Sequence, residues 1–188
     1  MSIDHSLTLN LNQWAQSNSG LITMASNDLV YLSILLGGVA LLANLVKEIS
    51  ASSFSPALLI QQMKQAVVHI AVPVGLAVVA GEVISMIVAR QRPFVDSQAI
   101  KAIFTHAADS GMPSSHTVFT IALGFAIFKV HQRWGALILG LALIAGVARV
   151  AAGVHYPTDI AAGILLGTLV PYLYFKGLPR FSINNRKI

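Results

Sequence analysis

The chain has no cysteine and very little charge, and both absences narrow its class. Disulfides, thiolate metal sites and a cysteine nucleophile are excluded. Charged residues make up only 10% of the 188 residues, against roughly a quarter in an ordinary soluble domain. Because 55% of the residues are hydrophobic and the mean hydropathy is +0.73, the composition predicts a single integral membrane domain over residues 1–188.

Long apolar stretches account for most of the chain. Each is poor in charge and approaches the roughly 20 residues that cross a bilayer. The third is short, so its helix is expected to begin earlier, near Ser114. The sequence therefore predicts an all-α, polytopic membrane bundle with about five transmembrane helices, over residues 29–46, 66–89, 117–130, 134–152 and 158–175.

The first 28 residues are polar and contain no lysine or arginine. Leu7, Leu11 and Trp14 share one helical face, which is typical of a short helix lying at the membrane interface. The alternation of Leu7, Leu9 and Leu11 fits a strand equally well. Both structures remain open for this segment.

The distribution of basic residues predicts the orientation of the chain. With five crossings, eight of the twelve lysines and arginines fall on one side, which the positive-inside rule places in the cytoplasm. That side includes the 47–65 loop and a basic tail, residues 176–188. Residues 1–28 and the 90–116 loop then face outward. The net charge of +5 is thus explained by membrane topology, and no nucleic-acid partner is expected.

Three polar clusters lie on the predicted outer face. They are "ARQRPF" at the end of the second apolar stretch, "MPSSHT" before the third, and "ARVAAGVHYPTD" between the fourth and fifth. Arginines at a membrane boundary are costly unless they reach water or have a partner. A shared anionic partner explains why three arginines lie on one face. The candidate site residues in the three clusters are Arg90, Arg92, Ser114, Ser115, His116, Arg149, His155 and Asp159.

This set of side chains suits a phosphate ester. Arginines hold phosphoryl oxygens with planar, permanently charged donors. Ser114 and Ser115 would add hydroxyls and free N–H groups at the start of a helix. One histidine would attack phosphorus and the other would protonate the leaving oxygen, with Asp159 orienting the ring of His155. Phosphoryl transfer depends mainly on positioning and charge, so neither metal nor cofactor is expected.

Each residue also has a simpler structural explanation. Ser114 or Ser115 is a good N-cap, and Asp159 can cap the last helix. A single histidine in a loop is usually a surface residue, and a single boundary arginine often extends its side chain to the interface. Only the joint occurrence of these residues on one face favours a site.

The three clusters together resemble the type 2 phosphatidic acid phosphatase (PAP2) superfamily. Its signatures read Lys-x6-Arg-Pro, Pro-Ser-Gly-His and Ser-Arg-x5-His-x3-Asp. Arg92 and the proline after it match the end of the first signature, residues 113–116 match the second with Ser for Gly, and residues 149–159 match the third. Two positions depart from the family, because Ser85 stands where it has lysine and Ala148 where it has serine.

The resemblance implies a role for each matched residue. His155 would be the nucleophile oriented by Asp159, and His116 the acid. Phosphate would be bound by the remaining matched residues, which are Arg92, Arg149, Ser114 and, through its backbone N–H, Ser115. Arg90 is the candidate to replace the charge of the lysine missing at Ser85.

Within the superfamily, "RPFV" and "HAADSGMPSSH" resemble the bacterial undecaprenyl-diphosphate phosphatases of the bacitracin-resistance type. This resemblance implies hydrolysis of a polyprenyl diphosphate at the outer face of the bacterial inner membrane, without a metal. Two alternatives stay open: a phosphatidylglycerophosphate or phosphatidic acid phosphatase, and a non-catalytic protein that binds or transports lipid. The sequence leaves the oligomeric state undetermined.

Other polar residues lie outside the three matched signatures. Glu82 lies about two helical turns below Arg90 and is expected either to pair with an arginine or to be structural. His106 and Asp109 are expected to line the entrance to the site. Residues 98–105 predict a short helix on the membrane surface, with Lys101 near lipid phosphates.

Overall fold

The computed structural model describes residues 2–51 and 55–177, and no strand occurs within those ranges. The prediction of an all-α fold is confirmed. Two single turns of π-helix, Met24–Asp28 and Val67–Ala71, precede α3 and α5. The α-helices of the described chain are α1 (Ile3–Gln16), α2 (Ser19–Thr23), α3 (Leu29–Ala51), α4 (Pro56–Ala66), α5 (Val72–Val88), α6 (Pro93–Asp96), α7 (Ser115–Val130), α8 (Gln132–Ala151) and α9 (Pro157–Gly177).

Helix α7 is the centre of the bundle. It contacts α3, α5, α8 and α9, and small or apolar residues on all of its sides are buried, including Val118, Ala122 and Ile127. Its 16 residues are fewer than the roughly 20 that span a bilayer. Because its neighbours enclose it, α7 buries its length against protein, while the outer helices expose large apolar side chains.

Four helical segments of the described chain are long and apolar enough to cross a membrane: Ser19–Ala43, Val68–Asp96, Gln132–Ala151 and Pro157–Gly177. The fifth predicted crossing corresponds to the shorter α7, which begins at Ser115 as expected. The chain is thus a multi-pass membrane protein. The predicted loop 47–65 is largely helical where it is described, since α3 reaches Ala51 and α4 begins at Pro56, in the first helical position that proline favours. Most of the predicted tail, 178–188, lies outside the described residues.

The N-terminal segment is helical, which decides between the helix and the strand that the sequence left open. Leu7 and Trp14 are 48% and 57% exposed. The buried face of α1 instead carries Thr8 and Asn12. The Asn12 amide donates to the carbonyl oxygens of Lys101 and Ala151, at 2.9 Å each. A polar side chain is buried here because it satisfies backbone groups that would otherwise be unpaired.

The prediction of a surface helix at 98–105 is wrong. This segment is an irregular strap held by bonds from outside itself. Asn12 Oδ1 accepts the N–H of Lys101 at 3.0 Å, and the N–H of Ile103 donates to the carbonyl of Ala152 at 3.1 Å. Ile100 is buried. Since the side chain of Asn12 and the end of α8 take its backbone groups, the strap does not need a helix to satisfy them.

Candidate active site

The three polar clusters of the sequence converge at one end of the bundle. The C-terminal ends of α5 and α8 meet there with the N-terminal ends of α7 and α9. The backbone N–H of Ser114 donates to the carbonyl of Asp159 at 3.1 Å, and the N–H of Gly111 donates to the carbonyl of Arg90 at 2.8 Å. These bonds tie the second cluster to the first and the third.

Arg92 is buried beside the first residue of α6 and makes four contacts. Its Nη1 lies 3.1 Å from Nε2 of His155 and 2.9 Å from the carbonyl oxygen of Val154. Its Nη2 donates to the carbonyl of Ser110 at 3.2 Å, and its Nε pairs with Asp109 Oδ1 at 2.8 Å. The guanidinium therefore lies directly against one imidazole and under the loop that carries Asp109.

Arg149, in the last turn of α8, is 1% exposed. Its Nη1 donates to the carbonyl of Ser26 at 3.3 Å and to the amide oxygen of Asn27 at 3.4 Å, and its Nη2 lies 3.1 Å from His106 Nε2. Its Nε has no hydrogen-bond partner, and no carboxylate within the described residues pairs with it. A buried cation without a counter-charge is costly, so this arginine is set up to receive an anion.

His155 is 1% exposed, in the short turn between α8 and α9. Its Nδ1 lies 2.9 Å from the carbonyl oxygen of Gly111. Since a carbonyl only accepts, Nδ1 carries the proton, and the lone pair is on Nε2, facing Arg92. Asp159 Oδ2 lies 3.6 Å from Nδ1, so Asp159 supports the ring by charge, while the hydrogen bond that orients it comes from Gly111. Sequence spacing alone had assigned that orienting role to Asp159.

The environment of His155 keeps its imidazole neutral. Burial, and then the positive charges of Arg149 and Arg92, hold the pKa of His155 well below its ordinary value. Burial also lowers the pKa of His106, although its Nδ1 bond to the carbonyl of Ala107 opposes this in part. A neutral imidazole has the lone pair that a nucleophile needs.

The start of α7 brings Ser114, Ser115 and His116 to the same end of the bundle. Ser114 is fully buried and its Oγ accepts from Thr117 Oγ1 at 3.1 Å, while Ser115 is exposed. The half-buried imidazole of His116 makes no hydrogen bond within the described residues, and it is close enough to His155 and both buried arginines to interact electrostatically with them. The first-turn N–H groups of α7 have no intrahelical acceptor.

Arg90 is placed differently from the prediction. Its Nη2 pairs with Asp4 at 2.7 Å and its Nη1 with Asp159 Oδ1 at 2.9 Å. The guanidinium also lies over the ring of Tyr156, 4.3 Å from the centroid. The carboxylates of Asp4 and Asp159 therefore both pair with Arg90, which the sequence had placed among the phosphate ligands. Its neighbours satisfy its charge, which sequence spacing does not reveal.

Glu82 is not brought to the site. It is exposed on α5, and the carboxylates that pair with Arg90 are those of Asp4 and Asp159. A residue two turns below Arg90 lies too far along the helix, because each turn advances about 5.4 Å.

Two residues that lie beside the site were not among its predicted catalytic and phosphate-binding residues. His106 stands between Arg149 and His155, with its ring centroid 6.3 Å from that of His155. Asp4, in α1, contacts Arg90 and the start of α9. The "HAADSG" run had placed His106 near the entrance, but no signal in the sequence connects residue 4 to residue 90. No group of three or more potential ligands among the described residues is arranged to hold a metal ion.

Comparison with known proteins agrees with this arrangement. The model of the family described as "PAP2 superfamily" matches residues 66–182, which contain all three clusters. The chain belongs to the PAP2 superfamily. The resemblance of its motifs is thereby confirmed.

Curated relatives and a solved structure are similar to this PAP2 protein. It is 34% identical over 116 residues to the Bacitracin transport permease protein BcrC of Bacillus licheniformis, covering 62% of this chain and 57% of that protein. It is 28% identical over 106 residues to the Undecaprenyl-diphosphatase BcrC of Bacillus subtilis (strain 168), covering 54% of each. The chain thus spans a little over half the length of these relatives. The crystal structure of the first transmembrane PAP2 type phosphatidylglycerolphosphate phosphatase from Bacillus subtilis shares the fold, with a TM-score of 0.56, 17% identity, and coverage of 95% of this chain and 87% of that one.

Proposed function

We propose that this PAP2 protein is a lipid phosphatase that hydrolyses a polyprenyl diphosphate, undecaprenyl diphosphate above all, to the monophosphate and inorganic phosphate. The observation that carries this function is Arg149. Arg149 is buried, and its Nε has no hydrogen-bond partner. It has no carboxylate partner within the described residues, and its neighbour is the imidazole of His106, whose pKa is lowered. A terminal phosphoryl group supplies the missing negative charge and several acceptors.

Binding replaces resting contacts with contacts to phosphate. Arg149 turns its donors from His106 to the phosphoryl oxygens, and Arg92 moves its Nη1 from the lone pair of His155 to the same group. The Ser114 hydroxyl and the backbone N–H of Ser115 complete the cradle at the start of α7. Ser114 contributes its hydroxyl only, because its N–H already donates to Asp159.

The reaction proceeds in two steps. Nε2 of His155 attacks phosphorus, a P–N bond forms, and the bond from phosphorus to the bridging oxygen breaks. His116 gives its proton to the departing polyprenyl monophosphate. The phosphoimidazole keeps its proton on Nδ1, which stays hydrogen-bonded to the carbonyl oxygen of Gly111. The negative charge of Asp159, whose Oδ2 lies 3.6 Å from Nδ1, stabilises the phosphoimidazole. Water then attacks phosphorus, His116 takes its proton, the P–N bond breaks, and phosphate leaves neutral His155 behind.

We place the site on the outer face of the bacterial inner membrane. The four helix ends that form it are at one end of the bundle. The segments predicted at the opposite end carry eight of the twelve basic residues, which favours the cytoplasm for that end. An outward site meets a lipid carrier whose headgroup has been delivered across the membrane. The residues before the span that begins at Ser19 then face outward, and the basic tail after Gly177 is cytoplasmic.

A substrate comparison with purified full-length protein tests the function. Phosphate release in the presence of a chelator is measured from undecaprenyl diphosphate, phosphatidylglycerol phosphate and phosphatidic acid. We expect release to be fastest from undecaprenyl diphosphate and to fall more than about a thousandfold in His155→Ala, with unchanged helix content. No release from any of the three lipids would overturn the function, and a strict metal requirement would overturn the metal-independent mechanism.

The second candidate is a lipid-binding or transport protein, favoured by the name of the Bacillus licheniformis relative. Cells that express His155→Ala separate the two. If the variant loses both bacitracin protection and phosphate release, the phosphatase function is supported. Protection that persists without phosphate release supports transport.

A further inference from the structure

The first turn of α1 reaches the candidate active site through Asp4. Its Oδ2 lies 2.7 Å from Arg90 Nη2, and its Oδ1 accepts the backbone N–H of Thr158 at 3.1 Å. The hydroxyl of Thr158 also donates to Oδ2. Asp4 therefore connects the end of α5 to the first turn of α9, and it lies outside residues 66–182, which the family model matches.

Arg90 connects Asp4 to Asp159. While Nη2 holds Asp4, Nη1 donates to Asp159 Oδ1 at 2.9 Å. The preceding residue, Ala89, has φ +46°, in the left-handed region that a residue with a side chain rarely adopts. This backbone conformation ends α5 abruptly at Ala89, immediately before Arg90.

Asp159 extends the series of contacts to the proposed nucleophile. It is fully buried, and its two oxygens face different partners. Oδ1 takes the donor from Arg90, while Oδ2 accepts the backbone N–H of Tyr156 at 2.7 Å and lies 3.6 Å from His155 Nδ1. The position of Oδ2 relative to the imidazole therefore depends on the N–H of Tyr156 and on how Arg90 holds Oδ1.

We propose that Asp4 is a positioning residue for the reaction at His155. It holds Arg90 between two carboxylates, so that Arg90 in turn fixes Asp159 against the imidazole. Without the charge of Asp4, the 28% exposed guanidinium loses one of its two anionic partners and is free to turn toward water or the phosphate of the substrate. Asp159 then loses its fixed orientation when the phosphoimidazole forms. The proposal rests on the phosphatase function proposed above.

Steady-state kinetics on undecaprenyl diphosphate test this role. Asp4→Asn should lower kcat about tenfold to a hundredfold and leave KM within about twofold, because Asp4 does not touch the substrate. Asp4→Glu should recover part of kcat. Asp28→Asn is the matched control and should have wild-type kinetics, since Asp28 is exposed and forms no ion pair with any residue that the structure describes.

A double variant separates positioning from general destabilisation. In an Arg90→Gln background, Asp4→Asn should lower kcat less than it does in the wild-type protein, because part of its effect passes through Arg90 and the rest through Thr158. Equal losses of kcat in both backgrounds would overturn the proposal. An Asp4→Asn protein with wild-type kcat would also overturn it.

The NMR resonance of His155 Nδ1–H tests the link from Asp4 to His155 without relying on turnover. The proton resonance of His155 Nδ1–H should move in Asp4→Asn and stay in place in Asp28→Asn. If the wild-type protein releases no phosphate, the function fails, while a resonance that moves still supports the link from Asp4 to His155. A resonance unchanged in Asp4→Asn contradicts that link whether or not the protein is a phosphatase.

Discussion

Nη1 of Arg92 lies 3.1 Å from Nε2 of His155, the atom that has to attack phosphorus in the proposed reaction. The same guanidinium is held from its other side by Asp109, at 2.8 Å. Burial alone would raise the pKa of Asp109, but the hydrogen bond and charge of Arg92 outweigh it and hold the pKa below its ordinary value. Without substrate, Arg92 is therefore held by the carboxylate of Asp109 and the imidazole of His155, and the substrate phosphate has to replace these contacts.

Asp109→Asn should strengthen phosphate binding. The variant removes a carboxylate that competes for Arg92 and repels the incoming anion. Because Asp109 is 63% exposed, the effect is small, about a two- to fivefold lower inhibition constant for inorganic phosphate. Competitive inhibition by phosphate measures it, with Asp28→Asn as the control. Weaker phosphate binding in Asp109→Asn would show that Asp109 supports the site instead of competing within it.

His116→Ala should slow the reaction most for substrates whose leaving group needs a proton. A general acid contributes about 10²- to 10⁴-fold when the departing oxygen needs a proton. The loss should therefore be large with phosphatidic acid, whose leaving group is an alcohol, and much smaller with p-nitrophenyl phosphate, whose leaving group is stable as an anion. Phosphate release from the two substrates gives the comparison, and equal losses on both would assign His116 to phosphate binding.

The protein should become less stable as the pH falls below about 6.5. The folded-state pKa values of His155 and His106 are lowered, so the unfolded chain takes up protons there that the folded chain does not bind. Stability then rises with pH across this window. The lowered pKa values of Asp4 and Asp109 act in the same direction below about pH 4.

Thermal unfolding in detergent at pH 5 and pH 7 measures this dependence. Replacing His106 by Gln should make the pH dependence of the unfolding temperature shallower, because one of the histidines with a lowered pKa no longer takes up a proton on unfolding. A wild-type unfolding temperature that is higher at pH 5 than at pH 7 would contradict the prediction.

Gly163→Ala should disturb the site from within the bundle. A Cβ at Gly163 would lie 2.8 Å from Thr117 Cβ and 3.1 Å from the carbonyl oxygen of Ser114, at the start of α7. The crowding should destabilise the protein by about 1–3 kcal/mol and lower kcat by displacing Ser114. Gly140→Ala is the matched control, since its Cβ meets nothing within 4 Å. Equal melting temperatures and activities for the two variants would contradict the packing argument.

Much of the fold was accessible from the sequence because a bilayer imposes simple requirements. Apolar stretches of near-spanning length predicted every long apolar helix of the described bundle, and α7 begins at Ser115 as expected. The strap at 98–105 and the polar face that α1 buries against the bundle were not predicted. Both depend on Asn12, whose amide pairs with backbone groups 89 and 139 residues away, and no local pattern encodes contacts at that separation.

The composition of the candidate site was determined by the sequence alone. Arg92, His116 and Arg149 could be named because motif spacing follows the chain and the chemistry of phosphate selects those residue types. Only the tertiary structure decided how they are connected. It paired Arg90 with Asp4 and Asp159, directed the Nδ1–H of His155 to the carbonyl oxygen of Gly111, and gave Arg149 no carboxylate partner among the residues that the structure describes. Charge pairing and burial depend on which helix ends meet in space, so these assignments could not be made from the sequence.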